Sequence, residues 1–356
     1  MSYSFLKESK LYIVYGGNKY RIYTSTAISF NQTFAEDSYS VKTLHDQSKM
    51  FEGSTITKAN PANFEFDVPL TVEKDESVII ELLSELTAGQ LKSFDIYVQT
   101  PQSTFKLENA IITSGNLDFS PSNPFTLRLQ GEGTKVSVVT HQAGTFVVGY
   151  QYKIVSTGTV DAPTNFTSIG SANNNIDTVF TASGVGTGTG TADYVIPSDS
   201  VKSESATRTP LIVYPVVTVD SLDMNNITSV TLQVQNNIDW LPFETLQSSL
   251  AVTNSSNVMR ASKYTVNKRI ISGAISQYQT DNNITQFDNF STSANITLKG
   301  IKMGDAVNAT PFFQIALTPA TYTARMSPSE VYMQSYDFSY TGTDTLDTII
   351  TRYEHP

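Results

Sequence analysis

Cysteine is absent from the 356 residues. Disulfides, thiolate metal sites and thiol nucleophiles are therefore excluded, and stability has to come from packing, strand pairing and assembly. Tryptophan occurs once, at Trp240, and histidine three times, at His45, His141 and His355. Positive charge is scarce: 23 Lys and Arg stand against 33 Asp and Glu, for a net charge of −10. A nucleic-acid-binding surface needs clustered cations to displace counterions, so this balance argues against one. It does not argue against a surface past which DNA slides, where like charge prevents sticking. Charge of either sign is low, at 16% of residues, against roughly 25% in soluble domains. Ser, Thr, Asn and Gln fill the gap, as on surfaces covered by neighbours. No apolar run approaches the roughly 18 residues that a membrane helix needs. Met1-Ser2-Tyr3-Ser4 lacks a basic region followed by an apolar one, so export by a signal peptide is not expected.

What is present is alternation. Phe64, Phe66, Val68, Leu70 and Val72 alternate with Glu65, Asp67, Pro69 and Thr71, the pattern of a half-buried strand. Phe94, Ile96 and Val98 repeat it, as do Phe313, Ile315 and Leu317. One stretch breaks the rule. Val78, Ile79, Leu82, Leu83 and Leu86 paint one helical face. Asp75, Glu76 or Ser77 suits its start and Gly89 its stop, which predicts a helix over 75–88.

A shift of 219 residues aligns Phe94, Ile96 and Val98 with Phe313, Ile315 and Leu317, and Asp118-Phe119-Ser120 with Asp337-Phe338-Ser339. The identical triplet points to a duplication. Each half reads as strand, long loop, strand and a later strand pair. The loops fall at 45–61 and 236–262, and loops of this length are usually functional or disordered. Met50-Phe51 in the first and Trp240 and Phe243 in the second put apolar side chains in polar settings, which marks Met50, Phe51, Trp240 and Phe243 as candidate contacts with a neighbouring subunit. Trp240 reads equally as a core plug. Between the halves, residues 182–192 are Gly- and Thr-rich, and 193–209 read as a polar linker. The expected division is 1–145, 146–209 and 210–356. Residues about 146–200 are expected to project outward, to contribute little core and to be dispensable for assembly.

Candidate chemistry is thin. The three histidines share no ligand spacing and read as solvated loop residues. Glu36-Asp37 reads as a solvated turn, Asp75-Glu76 as helix-dipole acids, and Asp118 and Asp337 as strand-end or turn residues. Asp281-Asn282-Asn283 has no calcium-loop spacing. The glycines from Gly184 to Gly190 lead into Thr191-Ala192-Asp193-Tyr194, not into a helix, so they do not form a phosphate-cradling loop. No catalytic residue, metal or cofactor is expected, and the chain is read as non-enzymatic.

The strand, loop, helix and strand order of residues 20–135 resembles a phage tail-tube (major tail) protein. So do Ser229 to Trp240 and the closing segment Ser329 to Ser339. Residues 149–192 resemble a small Gly/Thr-rich β-module of phage virion proteins. The resemblance implies a mainly β fold: two tail-tube-like β-sandwich or split-barrel domains, the first with one flanking α-helix, joined by a small β insertion. It also implies rings, here of three chains, that pair sheet edges and stack into a tube in the virion tail after assembly in the host cytoplasm. The implied partners are further copies, tape-measure, baseplate or terminator proteins, and genomic DNA that passes without specific binding; no membrane partner is implied. Other virion roles (tail terminator, baseplate hub, capsid decoration) share the texture. A glycan-binding receptor protein needs exposed aromatics and acids in a groove, and the lone Trp counts against it.

Overall fold

The computed structural model describes residues 8–23, 28–42, 50–84, 86–87, 90–119, 123–202, 205, 207–220, 222, 224–241, 259–261, 263–283, 293–328, 330–342 and 350–352. The fold is mainly β, as the alternation predicts, and a continuous sheet of 16 strands runs through it. The strand Ser103–Phe119 is its pivot. Up to Glu108 it pairs with Lys135–Thr140, and through Ala110 with Phe94–Gln99. From Ile111 onward it pairs with Thr126–Gly133, and from Ser114 also with Ile227–Leu241. The register shifts between Leu107 and Ala110 and again between Ile112 and Ser114. Such irregularities bend a strand and re-aim it, which lets one strand serve two layers.

The first layer continues from Phe94–Gln99 to Lys10–Tyr15 and Asn18–Ile22. The second extends on one side through Thr126–Gly133 to Ala62–Pro69 and Ile28–Asn31. On its other side lie Ile227–Leu241, Lys263–Tyr278, Met333–Gly342, Phe313–Ser327, Ser293–Lys302 and Val213–Val219. Pairing therefore crosses directly from one half of the chain to the other, with Leu117 opposite Leu232. One core fills the inner side of both halves and includes Phe66, Ile79, Leu117, Val230, Ile271, Phe313 and Phe338. Phe338 stands opposite Gly273, where an added Cβ would meet the Phe338 ring and the Thr231 carbonyl. The glycine makes room for the ring.

The helix is shorter than expected. It spans Val78–Ser84, and Leu86–Thr87 already pairs with Gln90–Leu91; Gly89 lies outside the described residues. The apolar stripe is buried as predicted, Val78, Ile79, Leu82 and Leu83 being at most 2% exposed. Strand pairing takes over after about two turns, where a hairpin pairs backbone groups that a frayed helix end leaves open. Among the described residues this is the single α-helix.

The repeat aligns strand starts better than strand interiors. Phe94 and Phe313 each open a strand, but Asp118 is the penultimate residue of its strand and Asp337 the fifth of ten.

Residues 151–196 are no coreless spacer. Gln151–Ser156 pairs with Val179–Thr181 and Thr191–Tyr194. Phe146, Tyr152, Phe166, Phe180 and Tyr194 form an aromatic core that continues into Tyr97 and Val139 of the first layer. The expectation of little core fails because the aromatics are few but converge. The glycines allow this convergence: Gly188 takes φ 98° and lies against the Pro163 carbonyl, where a Cβ would clash.

Candidate assembly surfaces

The first predicted loop is largely strand. Met50–Ala59 pairs antiparallel with Phe34–Lys42, so Met50 stands opposite Lys42 and Phe51 opposite Val41. Glu36 and Asp37 lie within this ladder and not in a turn. Polar alternation masked the strand: neither face is apolar enough to show. The second predicted loop also begins as strand, since Ile227–Leu241 runs through its first six positions. Residues 43–49 and 242–258, with Phe243 and His45, lie outside the described residues, as does His355.

The structure brings the bases of the two loops together. Met259–Arg260 pairs parallel with Lys58–Ala59. Trp240 is half-buried, set edge-on to Tyr264 with centroids 5.3 Å apart. Its Nε1 donates to Glu132 Oε2 at 2.5 Å, and Tyr264 Oη donates to the Leu91 carbonyl at 2.8 Å. Around them Leu91 and Ile111 form a small satellite core with Ile238 and Val266. Within the chain Trp240 thus ties the second half's long strand pair to the first half.

The outer face of the second layer is polar and crosses both halves. One row of directly opposed residues reads Asp67, Arg128, Asn116, Gln233, Ser272, Ser339 and Thr321. The next row reads Pro69, Thr126, Asp118, Thr231, Ala274, Asp337 and Thr323. Period-2 alternation produces this face, because the neighbours of each residue along its own strand point inward to the core. Two of its cations stand beside acids: Arg128 Nε is 3.9 Å from Asp67, and Arg325 pairs with Asp337.

Two buried polar clusters join segments that the sequence leaves apart. Arg208 sits against the helix start, 2.6 Å from Asp75 Oδ2 and 3.9 Å from Glu76 Oε1. Its guanidinium lies 4.1 Å from the Tyr23 ring centroid, with Arg21 at 4.0 Å from the same ring. The Thr71 hydroxyl donates to Glu76 Oε2 at 2.9 Å. Burial raises the Glu76 carboxyl above its usual pKa, against the pull of Thr71 and Arg208. Asp75 and Glu76 are therefore ion-pair partners and not simple dipole acids. The supposed linker is docked, with Asp199 N donating to the Gly17 carbonyl at 2.7 Å and Thr209 N to Glu73 Oε2 at 2.9 Å.

His141 is 1% exposed, not a solvated loop residue. Its Nε2 lies 2.8 Å from Thr104 Oγ1 and its Nδ1 3.3 Å from Asp193 Oδ1. The order hydroxyl, imidazole, carboxylate matches a nucleophile relay, but Thr104 is fully buried and no substrate reaches it. The imidazole instead bridges the first layer to the Gly/Thr-rich segment. No signal marked it, because its partners lie 37 and 52 residues away in sequence. Among the described residues no group of three or more His, Asp or Glu is placed to hold a metal.

A family model described as the Bacteriophage Baseplate Tube Protein Family matches residues 1–183. No curated protein matches the chain.

Proposed function

The chain belongs to the bacteriophage baseplate tube protein family, and on that premise we propose that its copies close into rings that stack as a tube segment through which the genome leaves the virion. A role as a structural component of the phage tail follows from the family. The ring, the stacking and the passage of DNA are the parts proposed. The observation that carries them is the polar face that runs unbroken across both halves. A layer buried on one side and lined with Ser, Thr, Asn and Gln on the other is what a channel wall requires. Across the two central rows Arg128 is the single cation and stands beside Asp67, which leaves little there to hold phosphate, whereas a row of free Lys or Arg would release counterions and bind the duplex. Repulsion from the remaining acids reaches about 8 Å at ~0.15 M salt, enough to keep a sliding duplex off the wall.

Ring closure gives the open sheet edges a partner. Ile28–Asn31 and Val213–Val219 each pair on one side among the described residues. Free edges recruit strangers, and closure removes them. If each half acts as one tube unit, about three chains supply a ring of about six units. The paired loop bases, with Met50, Phe51, Trp240 and Phe243, are the proposed ring-to-ring anchors, joined in the tail by tape-measure, baseplate or terminator proteins. The role is structural, with no catalysis and no cofactor.

The family's description favours the baseplate end over the whole tail length. Copy number by quantitative mass spectrometry of virions separates the two, since a baseplate segment needs a few rings and a full tube many. Electron microscopy of the purified chain tests the ring itself. Rings with the polar face inward are the expected result; monomers throughout, or a channel lined by unpaired Lys and Arg, would sink the reading.

A further inference from the structure

The second half exposes apolar residues at both ends of one strand. At the end of Phe313–Ser327 lies a groove of about 570 Å³ lined by Gln279, Thr280, Asp281, Met326, Glu330, Val331 and Tyr332. Val331 and Tyr332 are 51% and 54% exposed. At the start of the same strand the turn after Lys302 carries Met303 and Val307, which are 58% and 65% exposed.

The groove is fixed before anything enters it. Gln279 N donates to the Tyr332 carbonyl at 2.9 Å, which pins its two walls together. Beneath it, Asn283 Nδ2 donates to the Tyr278 carbonyl at 3.0 Å, and Thr280 N donates to Asn283 Oδ1 at 2.7 Å. A rigid apolar recess loses little entropy on binding.

The two ends are complementary. The groove carries two acids, Asp281 and Glu330. The region around the turn carries Lys302 and Lys74, with Asp305 as its acid. Each end thus presents apolar residues beside charge of opposite net sign.

We propose that the Lys302–Val307 turn of one copy seats in the Asp281–Tyr332 groove of a second copy of this chain. A chain cannot fill its own groove. The turn and the groove are separated by a strand of 15 residues, roughly 45 Å at about 3.3 Å per residue. A contact from one end of a molecule to the opposite end of the next is head-to-tail and repeats along an axis. It therefore supplies the direction of ring stacking, and it rests on the tube reading above. Each contact is small; several act together around a ring, so their strengths multiply.

The absence of cysteine makes the test clean. Val307→Cys and Val331→Cys are placed together in the full chain, and assemblies seen by electron microscopy are oxidised. A ladder of linked trimers and longer species on a non-reducing gel is expected, while Val331→Cys alone gives no species beyond a dimer. Lys302→Glu is expected to reduce the stacked fraction at least tenfold, and Asp281→Lys with Glu330→Lys in the same chain to restore it. Stacked rings that yield no ladder, or that stack equally well with Lys302→Glu, overturn this contact and leave the tube reading standing. A chain that forms no rings at all overturns both.

Discussion

Arg269, in the second half of the chain, donates from Nη2 to the carbonyl of Leu83 at the end of the first half's helix, at 2.6 Å. The guanidinium is buried and faces the negative end of the helix dipole. A second tie runs beside it, Asn236 Nδ2 donating to the Ile112 carbonyl at 2.9 Å. The two halves are thus joined by polar bonds as well as by sheet pairing.

Arg269→Met keeps the stem and removes the charge-assisted bond. The Leu83 carbonyl is left without this donor, which costs about 2 kcal/mol. Urea unfolding should show a lower midpoint with an unchanged slope, and hydrogen exchange should speed up across Val78–Ser84. An unchanged midpoint would deny the tie any energetic role.

Removing the imidazole in His141→Ala leaves Thr104 and Asp193 without their bridge, at a cost of about 1–2 kcal/mol. Limited proteolysis should then cut first within residues 142–200 while the body survives. Deletion of 146–200, expected from sequence to be harmless, should instead bare Tyr97 and Val139 and lower solubility. Full solubility of the deletion, measured by light scattering, would show that the segment packs on the body without protecting it.

The raised carboxyl of Glu76 has a stated pH signature. Its pKa is higher folded than unfolded, so its contribution is full below the unfolded value and is lost as pH rises through the folded one. Thermal melts from acid to neutral pH should show wild-type stability falling across that window, and Glu76→Gln should flatten this part of the profile. A melt profile of the variant parallel to wild type would rule the linkage out.

Trp240→Ala removes a half-buried ring and the bond to Glu132. The folding cost is about 2 kcal/mol, below that of a full core truncation. If the loop bases meet the next ring, assembly should fall more than this cost accounts for. Sedimentation of assembled material, set beside a denaturant midpoint on the same sample, separates the two effects.

Gln233→Lys and Asn116→Lys place two cations side by side on the polar face, since these residues are direct cross-strand partners. Assembled variant rings should retard duplex DNA in low salt and release it as salt rises. Wild-type rings should not retard it. Equal mobility for both would place this face outside the channel.

Periodicity made several elements legible without a fold. Phe64 to Val68 and Phe94 to Val98 announce strands because each inward residue must be apolar, and Val78 to Leu83 announce the helix for the same reason. Composition set the bounds: no cysteine excludes a disulfide scaffold, and a net charge of −10 argues against a phosphate-binding surface. What sequence alone left undecided depends on distance in space. The Phe34–Lys42 and Met50–Ala59 pair stays hidden because it alternates no clear apolar face. Arg208, His141 and Arg269 find their partners 133, 37 and 186 residues away. A buried charge is tolerable only where its counter-group or carbonyl arrives through tertiary folding. Local pattern decided which residues face inward, and the tertiary structure decided which of the inward polar groups meet.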